Sequence, residues 1–244
     1  MPRAIWSGSI SFGLVSIPVK LFSAVSEQSV RFNQLDRRNH ARIRQKRVNE
    51  STGEEVPYGE IVKGYELGSG RWIEITDDDL AQLMPEQTRL IELEEFVDLS
   101  EVDPVYFSGS YWAAPADAPK PYALLATALS EANKVGIGRF VMRSKQHLVV
   151  VRSVERKLML SVMVWADEVN APEEIPGMDK PDEVEVSDKE LAMASSLIDS
   201  LTEEFEPTKY SDTYREAILE LIDRKADGEE APVVAPVEEG DDTV

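Results

Sequence analysis

The sequence predicts a mainly β protein with added helices, and three observations predict it. Several runs in the first 165 residues alternate apolar and polar side chains, the two-residue period of half-buried strands. A polar, cation-rich stretch of about forty residues interrupts them, too ionic for a buried layer and too long for an ordinary loop. Beyond residue 186 the apolar positions step by three and four, the spacing of amphipathic helices. With 244 residues and 42% hydrophobic residues, the chain has material for one large domain and an appendage.

The first 25 residues read as β-structure, with Ile10, Phe12, Leu14 and Ser16 on one face and Pro18 marking an edge or bend. Residues from about 28 to 70 read as a projecting arm of paired strands. Thr76 caps a short helix over 75–84, and Asp79 completes a capping box. Ile91–Val97 and Val105–Ala113 return to strand patterns. Pro121 opens a helix with the stripe Tyr122, Leu125, Ala128, Leu129 and Ala132. Val135–Arg143, His147–Arg152 and Leu158–Trp165 follow as a three-stranded meander.

Residues 1–165 therefore form a core domain that includes the arm, and 166–186 a Pro- and Glu-rich linker. A helical segment spans 187–228. In it Ser187 and Glu190 form a capping box ahead of the seam Leu191, Ala194, Ile198, Leu201 and Phe205, which Pro207 stops. A second helix runs from about Asp212 to Ala226 with Tyr214, Ile218, Leu221 and Ile222 on one face, and Gly228 ends it. Residues 229–244 lack periodicity and are expected to be a disordered acidic tail.

The net charge of −20 hides a segregation. Residues 1–165 balance to −1, whereas 166–244 carry −19. Fourteen of the 26 cations sit in two windows, 31–47 and 134–157. The first holds Arg31, Arg37, Arg38, Arg42, Arg44, Lys46 and Arg47 against Asp36 alone. On a strand, Arg42, Arg44 and Lys46 make one ladder with cations about 7 Å apart, comparable to the phosphate repeat of a DNA strand. An edge strand also uses charge to block aggregation, but six net charges in 17 residues exceed that need. The second window places Arg139, Arg143 and Lys145 on one expected strand face, with Arg152 on the next strand. A barrel's solvated outer face is the competing reading there. Gly136 and Gly138 permit a close backbone approach or a bulge.

Catalytic patterns are weak. Cysteine is absent, which removes disulfides, thiolate nucleophiles and Cys-ligated metals. The two histidines, His40 and His147, stand near no pattern that singles out a general base. The acidic clusters lack Ca²⁺-loop spacing, and no phosphate-binding Gly-rich loop occurs. No metal, cofactor or catalysis is expected. No run approaches a membrane span, so the chain reads as soluble and intracellular. A rival from another class is an acidic adaptor or chaperone that binds basic proteins through residues 166–244.

In several blocks the chain resembles bacterial Ku, the DNA-end-binding family of non-homologous end joining. The blocks are Arg3-Ala-Ile-Trp, GSISFGLVSIPVKLFSA (8–24), RIRQKRV (42–48), GEEVPYGEIVKGYE (53–66), ITDDDL (75–80), VDPVYF (102–107), YALL (122–125) and LIDSLTEEFEPTKYSDTYREAILELI (197–222). They occur in family order over about residues 3–226. The resemblance implies a core β-barrel with an inserted bridging arm, two subunits forming a ring around double-stranded DNA ends, and no catalysis. It implies a C-terminal segment that recruits the pathway's multifunctional ATP-dependent DNA ligase, of the ligase D type. Leu197, Leu201, Phe205, Tyr210, Tyr214, Ile218 and Leu221 are the candidate contacts there. A cytoplasmic, nucleoid-associated location in a bacterium follows from the same likeness.

Two departures alter the expectation. Many members carry Cys-x-x-Cys after the basic segment, where this chain has Asn49-Glu-Ser-Thr52, so its arm holds its shape without metal. Many end in a Lys-rich, DNA-binding tail, whereas this chain ends in Glu and Asp. Such a tail competes with DNA for the basic lining only at close approach, because the Debye length is about 8 Å at physiological salt.

Overall fold

The computed structural model describes residues 2–83, 89–143, 145–180 and 184–228. The acidic tail expected over 229–244 lies outside the described residues. The chain forms two compact units, one from residues up to Ser26 with Lys46–Glu183, the other from Glu27–Gln45 with the chain from Val184 onward.

The first unit is built on a closed barrel of seven strands. These are β1 (Trp6–Phe12) and β2 (Val15–Ser23), then β5 (Leu90–Asp98), β6 (Phe107–Pro115), β7 (Lys134–Met142), β8 (Lys145–Val154) and β9 (Lys157–Met163). Around the barrel the order is β1-β2-β6-β9-β8-β7-β5. Every pairing is antiparallel except β1 with β5, which closes the ring in parallel with Ile10 opposite Ile91. The alternation read from the sequence holds on each strand but changes phase at the β1–β2 turn. Leu14, expected on the Ile10 face, is exposed in that turn and Ser16 is exposed on β2, because the turn hands the inward positions to Ile17, Val19 and Leu21. Ile10, Ile17, Val19, Leu21, Ile91, Val149, Val151, Leu158 and Leu160 point inward and are essentially inaccessible to water. Pro18 sits inside β2 opposite Ser9, one residue before β6 begins to pair. Its missing N–H therefore falls outside the β2–β6 ladder.

Helix α2 (Pro119–Ala132) lays Tyr122, Leu125, Ala126 and Leu129 into the same core. It starts two residues earlier than the sequence suggested, because Pro119 as well as Pro121 fits the first turn. Ala128 and Ala132, expected in the buried stripe, are exposed. The Tyr122 hydroxyl fixes the helix to the wall, donating to the Ala113 carbonyl at 2.7 Å and accepting from Leu158 N–H at 2.7 Å. A smaller apolar cluster of Val135, Val150 and Met163 lies on the other side of the wall, packed by Tyr106, Phe107 and Leu148.

Within the same unit, residues 46–75 are irregular until β3 (Lys63–Glu66) pairs with β4 (Trp72–Ile75) as an isolated hairpin. Helix α1 (Asp77–Leu83) follows, capped as its sequence implied. Thr76 Oγ1 accepts from Asp79 N–H at 3.1 Å while the Asp79 carboxylate accepts from Thr76 N–H at 2.9 Å. The Thr76 hydroxyl, which also donates to the carboxylate, and the Thr76 N–H hold the Asp79 carboxyl below the usual carboxylate range.

The second unit contains α3 (Asp188–Leu201) and α4 (Thr213–Ala226). The Ser187–Glu190 box is present, with Glu190 accepting from Ser187 N–H at 2.9 Å. Helix α3 ends at Leu201, before Phe205, so the expected seam loses its last member. Phe205 instead stacks on Tyr210 at 6.1 Å between ring centres, around the Pro207–Lys209 turn. Asp212 caps α4 through Arg215 N–H at 2.9 Å. Among the described residues no helix is long and apolar enough to cross a membrane.

Candidate nucleic-acid interface

The first basic window does not form the expected strand. Leu35 bridges Arg42, closing one short loop, and Val48 bridges Glu55, closing another. Each flank satisfies its backbone locally: Asp36 N–H reaches Ala41 O at 2.8 Å, and Val56 N–H reaches Arg47 O at 2.9 Å. No ladder runs between the two bridges, so strand alternation does not order Arg42, Arg44 and Lys46. Arg31, Arg37, Arg38, Arg42 and Arg44 belong to the second unit, Lys46 and Arg47 to the first.

Partners divide these cations. Arg38 is bound to Asp36, Nη2 to Oδ2 at 2.7 Å, which holds the Asp36 carboxyl below its ordinary range. Lys46 pairs with Glu55. Arg47 lies over the Tyr58 ring, 5.1 Å from its centre. Arg31, Arg37, Arg42 and Arg44 are exposed and make no ion pair among the described residues. A guanidinium in that state keeps all its donors for an oxyanion that can present two oxygens to the planar fork, and phosphate is one.

The second window is also rearranged. Arg139 lies on β7, exposed, and its Nε donates to Glu94 at 2.6 Å, a contact that raises its pKa. Arg143 does not share that strand. It occupies the tight turn between β7 and β8 with φ of +51°, while Lys145 is the first residue of β8. A two-residue hairpin demands positive φ, and this requirement removed Arg143 from the expected face. Arg152 is half-buried, with Nη2 3.1 Å from the Met159 sulfur. Lys134 pairs with Asp98 at 2.8 Å. The face is thus partly neutralised by acids of β5. Glu94 was missed because the pairing of β5 with β7 skips β6 in sequence, so no local pattern announces it.

The glycines of this window behave as their positions implied. A Cβ on Gly138 would stand 2.1 Å from Glu92 O, where β5 bulges between Leu93 and Glu95. The candidate partner residues of the second unit are exposed as well. Leu197, Leu201, Phe205, Tyr210 and Tyr214 are each more than 60% accessible, whereas Ile218 and Leu221 are half-buried. Among the described residues no group of His, Asp and Glu is placed to hold a metal ion.

Comparison with known proteins agrees with this architecture. The profile of the Ku70/Ku80 beta-barrel domain matches residues 11–193. The chain is 44% identical over 245 residues to "Non-homologous end joining protein Ku 1" of Saccharopolyspora erythraea, covering 99% of this chain and 75% of that one. It is 42% identical over 234 residues to the Ku protein of Mycobacterium tuberculosis, covering 94% and 85%. Against the Ku protein of Bacillus subtilis it is 41% identical over 233 residues, covering 95% and 74%. With a matching barrel profile and relatives aligned along nearly its whole length, the chain belongs to the Ku family.

Proposed function

We propose that this chain binds double-stranded DNA ends without regard to sequence, as a homodimeric ring that bridges breaks and recruits a multifunctional ATP-dependent DNA ligase of the ligase D type. Its role is binding and assembly, with no chemistry of its own. The observation that carries the reading is the set of arginines Arg31, Arg37, Arg42 and Arg44, exposed and without an ion pair among the described residues, in a member of the Ku family whose chain is otherwise acidic. Arg47, Arg143 and Lys145 of the first unit are further phosphate contacts. Arg38, Lys46, Arg139 and Arg152 contribute only by exchanging their present partners. End specificity comes from topology, since a closed ring loads only where a duplex stops.

The test is competition. Protein on labelled linear duplex is challenged with equal masses of closed-circular plasmid and of the same plasmid cut once or many times. Competition proportional to the number of ends supports threading. Equal competition by circular and cut DNA refutes it. Ligase recruitment is tested by removing residues 187–244. The truncated chain is expected to retain DNA-end binding and to lose stimulation of the ligase. Loss of DNA binding as well would refute a separate docking role for Leu197, Leu201, Phe205, Tyr210, Tyr214, Ile218 and Leu221.

A further inference from the structure

The two mouths of the barrel differ. Helix α2 occupies one. At the other, the first residues of β6 and β8 meet the last residues of β7 and β9, and a cavity of about 260 Å³ opens there. Tyr111, Lys145, His147, Trp165 and Glu168 line it above Met142 and Val162. Three flat rings thus converge on one small space, in a chain whose aromatic residues are only 7% of the total. The His147 ring is fixed against Phe140 at 5.6 Å between centres, and burial lowers its pKa, so at neutral pH it is an uncharged ring. The Glu168 carboxylate is already engaged, accepting from Trp165 N–H at 2.8 Å. Lys145 is exposed and makes no ion pair among the described residues. The mouth therefore offers stacking surfaces, one available cation and, at its exposed rim, a carboxylate tied to the main chain.

That combination suits a nucleotide: a flat base for the rings and a phosphate for the ammonium. A paired base inside a duplex is out of reach, but an unpaired terminal one costs little to extract. We propose that this mouth binds a single unpaired nucleotide at a DNA end, with its base among Trp165, Tyr111 and His147 and its phosphate at Lys145. The inference rests on the DNA-end reading above and adds to it a discrimination between blunt and frayed ends.

The experiment uses the full chain and 2-aminopurine, whose fluorescence falls when it stacks. The probe is presented as the free deoxynucleoside monophosphate and as the unpaired 3′-terminal nucleotide of a duplex, beside a blunt duplex of equal length. The expected result is quenching of the overhang base and tighter binding of the overhang duplex by about fivefold or more. Both effects should vanish in Trp165→Ala and in His147→Ala, survive in Trp165→Phe, and leave blunt-duplex affinity unchanged. If Trp165→Ala does not fold, His147→Ala carries the comparison. An overhang base that stays bright on a protein that binds blunt duplex overturns the proposal while the DNA-end reading stands. Quenching of the free monophosphate without any duplex binding overturns both in favour of a free-nucleotide site.

Discussion

Gly138 has space for a hydrogen atom and nothing larger, because the β5 bulge brings Glu92 O against it. Gly138→Ala should lower stability by about 1–3 kcal/mol, the usual cost of overpacking, and the midpoint of urea unfolding reads it. Tyr122 is held at both ends of its hydroxyl by main-chain groups of β6 and β9. Tyr122→Phe leaves a buried carbonyl and a buried N–H unpaired, at about 1–3 kcal/mol for each group left unsatisfied. Burial also raises the Tyr122 pKa above its ordinary value. The folded chain therefore holds this proton more tightly than the unfolded one. Its contribution is complete below about pH 10 and declines as pH rises through the folded-state value. Alkaline unfolding should accordingly be shallower in Tyr122→Phe than in the parent. At the surface, Arg42→Ala and Arg44→Ala should each weaken DNA binding equally on all sequences. Each should reduce the slope of log affinity against log salt by about 0.9, the value for one phosphate contact. Losses confined to particular sequences would contradict phosphate contact.

Among the elements, the β8–β9 turn is the most improvable. Glu155 and Arg156 hold φ values of +49° and +61° between the paired residues Val154 and Lys157. Both positions favour Asn and Gly. The double change Glu155→Asn with Arg156→Gly should raise stability by about 1 kcal/mol, visible as a higher melting temperature. The same hairpins show what the sequence makes legible. The β7–β9 meander, the Tyr122, Leu125 and Leu129 positions of the α2 stripe and both Ser/Thr capping boxes depend on neighbours within a few residues, and they lie within a few residues of where the pattern places them, whereas Ala128 and Ala132 turn out of the core. Arg143 was misplaced because a turn's φ requirement cuts a continuous alternating run. The arm was misread because charge alternation resembles a strand whether or not a partner strand exists, and here the flanks close on themselves. The pairing of Arg139 with Glu94 and the parallel closure of β1 on β5 join segments about 45 and 80 residues apart. Local periodicity carries no information at that range. As for the interface, the choice of basic residues was legible, but their division into paired and unpaired cations was not.

For the whole molecule, a binding surface carried by a chain of net charge −20 should respond to salt in two opposing ways. Contacts to phosphate weaken as salt rises, while repulsion between DNA and the acidic C-terminal third is screened. The truncation lacking residues 187–244 should thus show a steeper salt slope than the full chain, measured by titrating one duplex at several ionic strengths. An unchanged slope would mean that the acidic third stays beyond a screening length from the DNA. The parallel closure of β1 on β5 has a consequence for synthesis. The β1–β2 hairpin leaves the ribosome before the other barrel strands, yet both of its outer edges await strands that begin at Leu90 and Phe107. At about 5–20 residues per second, the intervening chain takes several seconds or more to emerge. For that interval the nascent chain carries an apolar two-stranded ribbon with nothing to pair against. Chaperone capture during translation, more than the stability of the finished barrel, should then set the yield of folded protein.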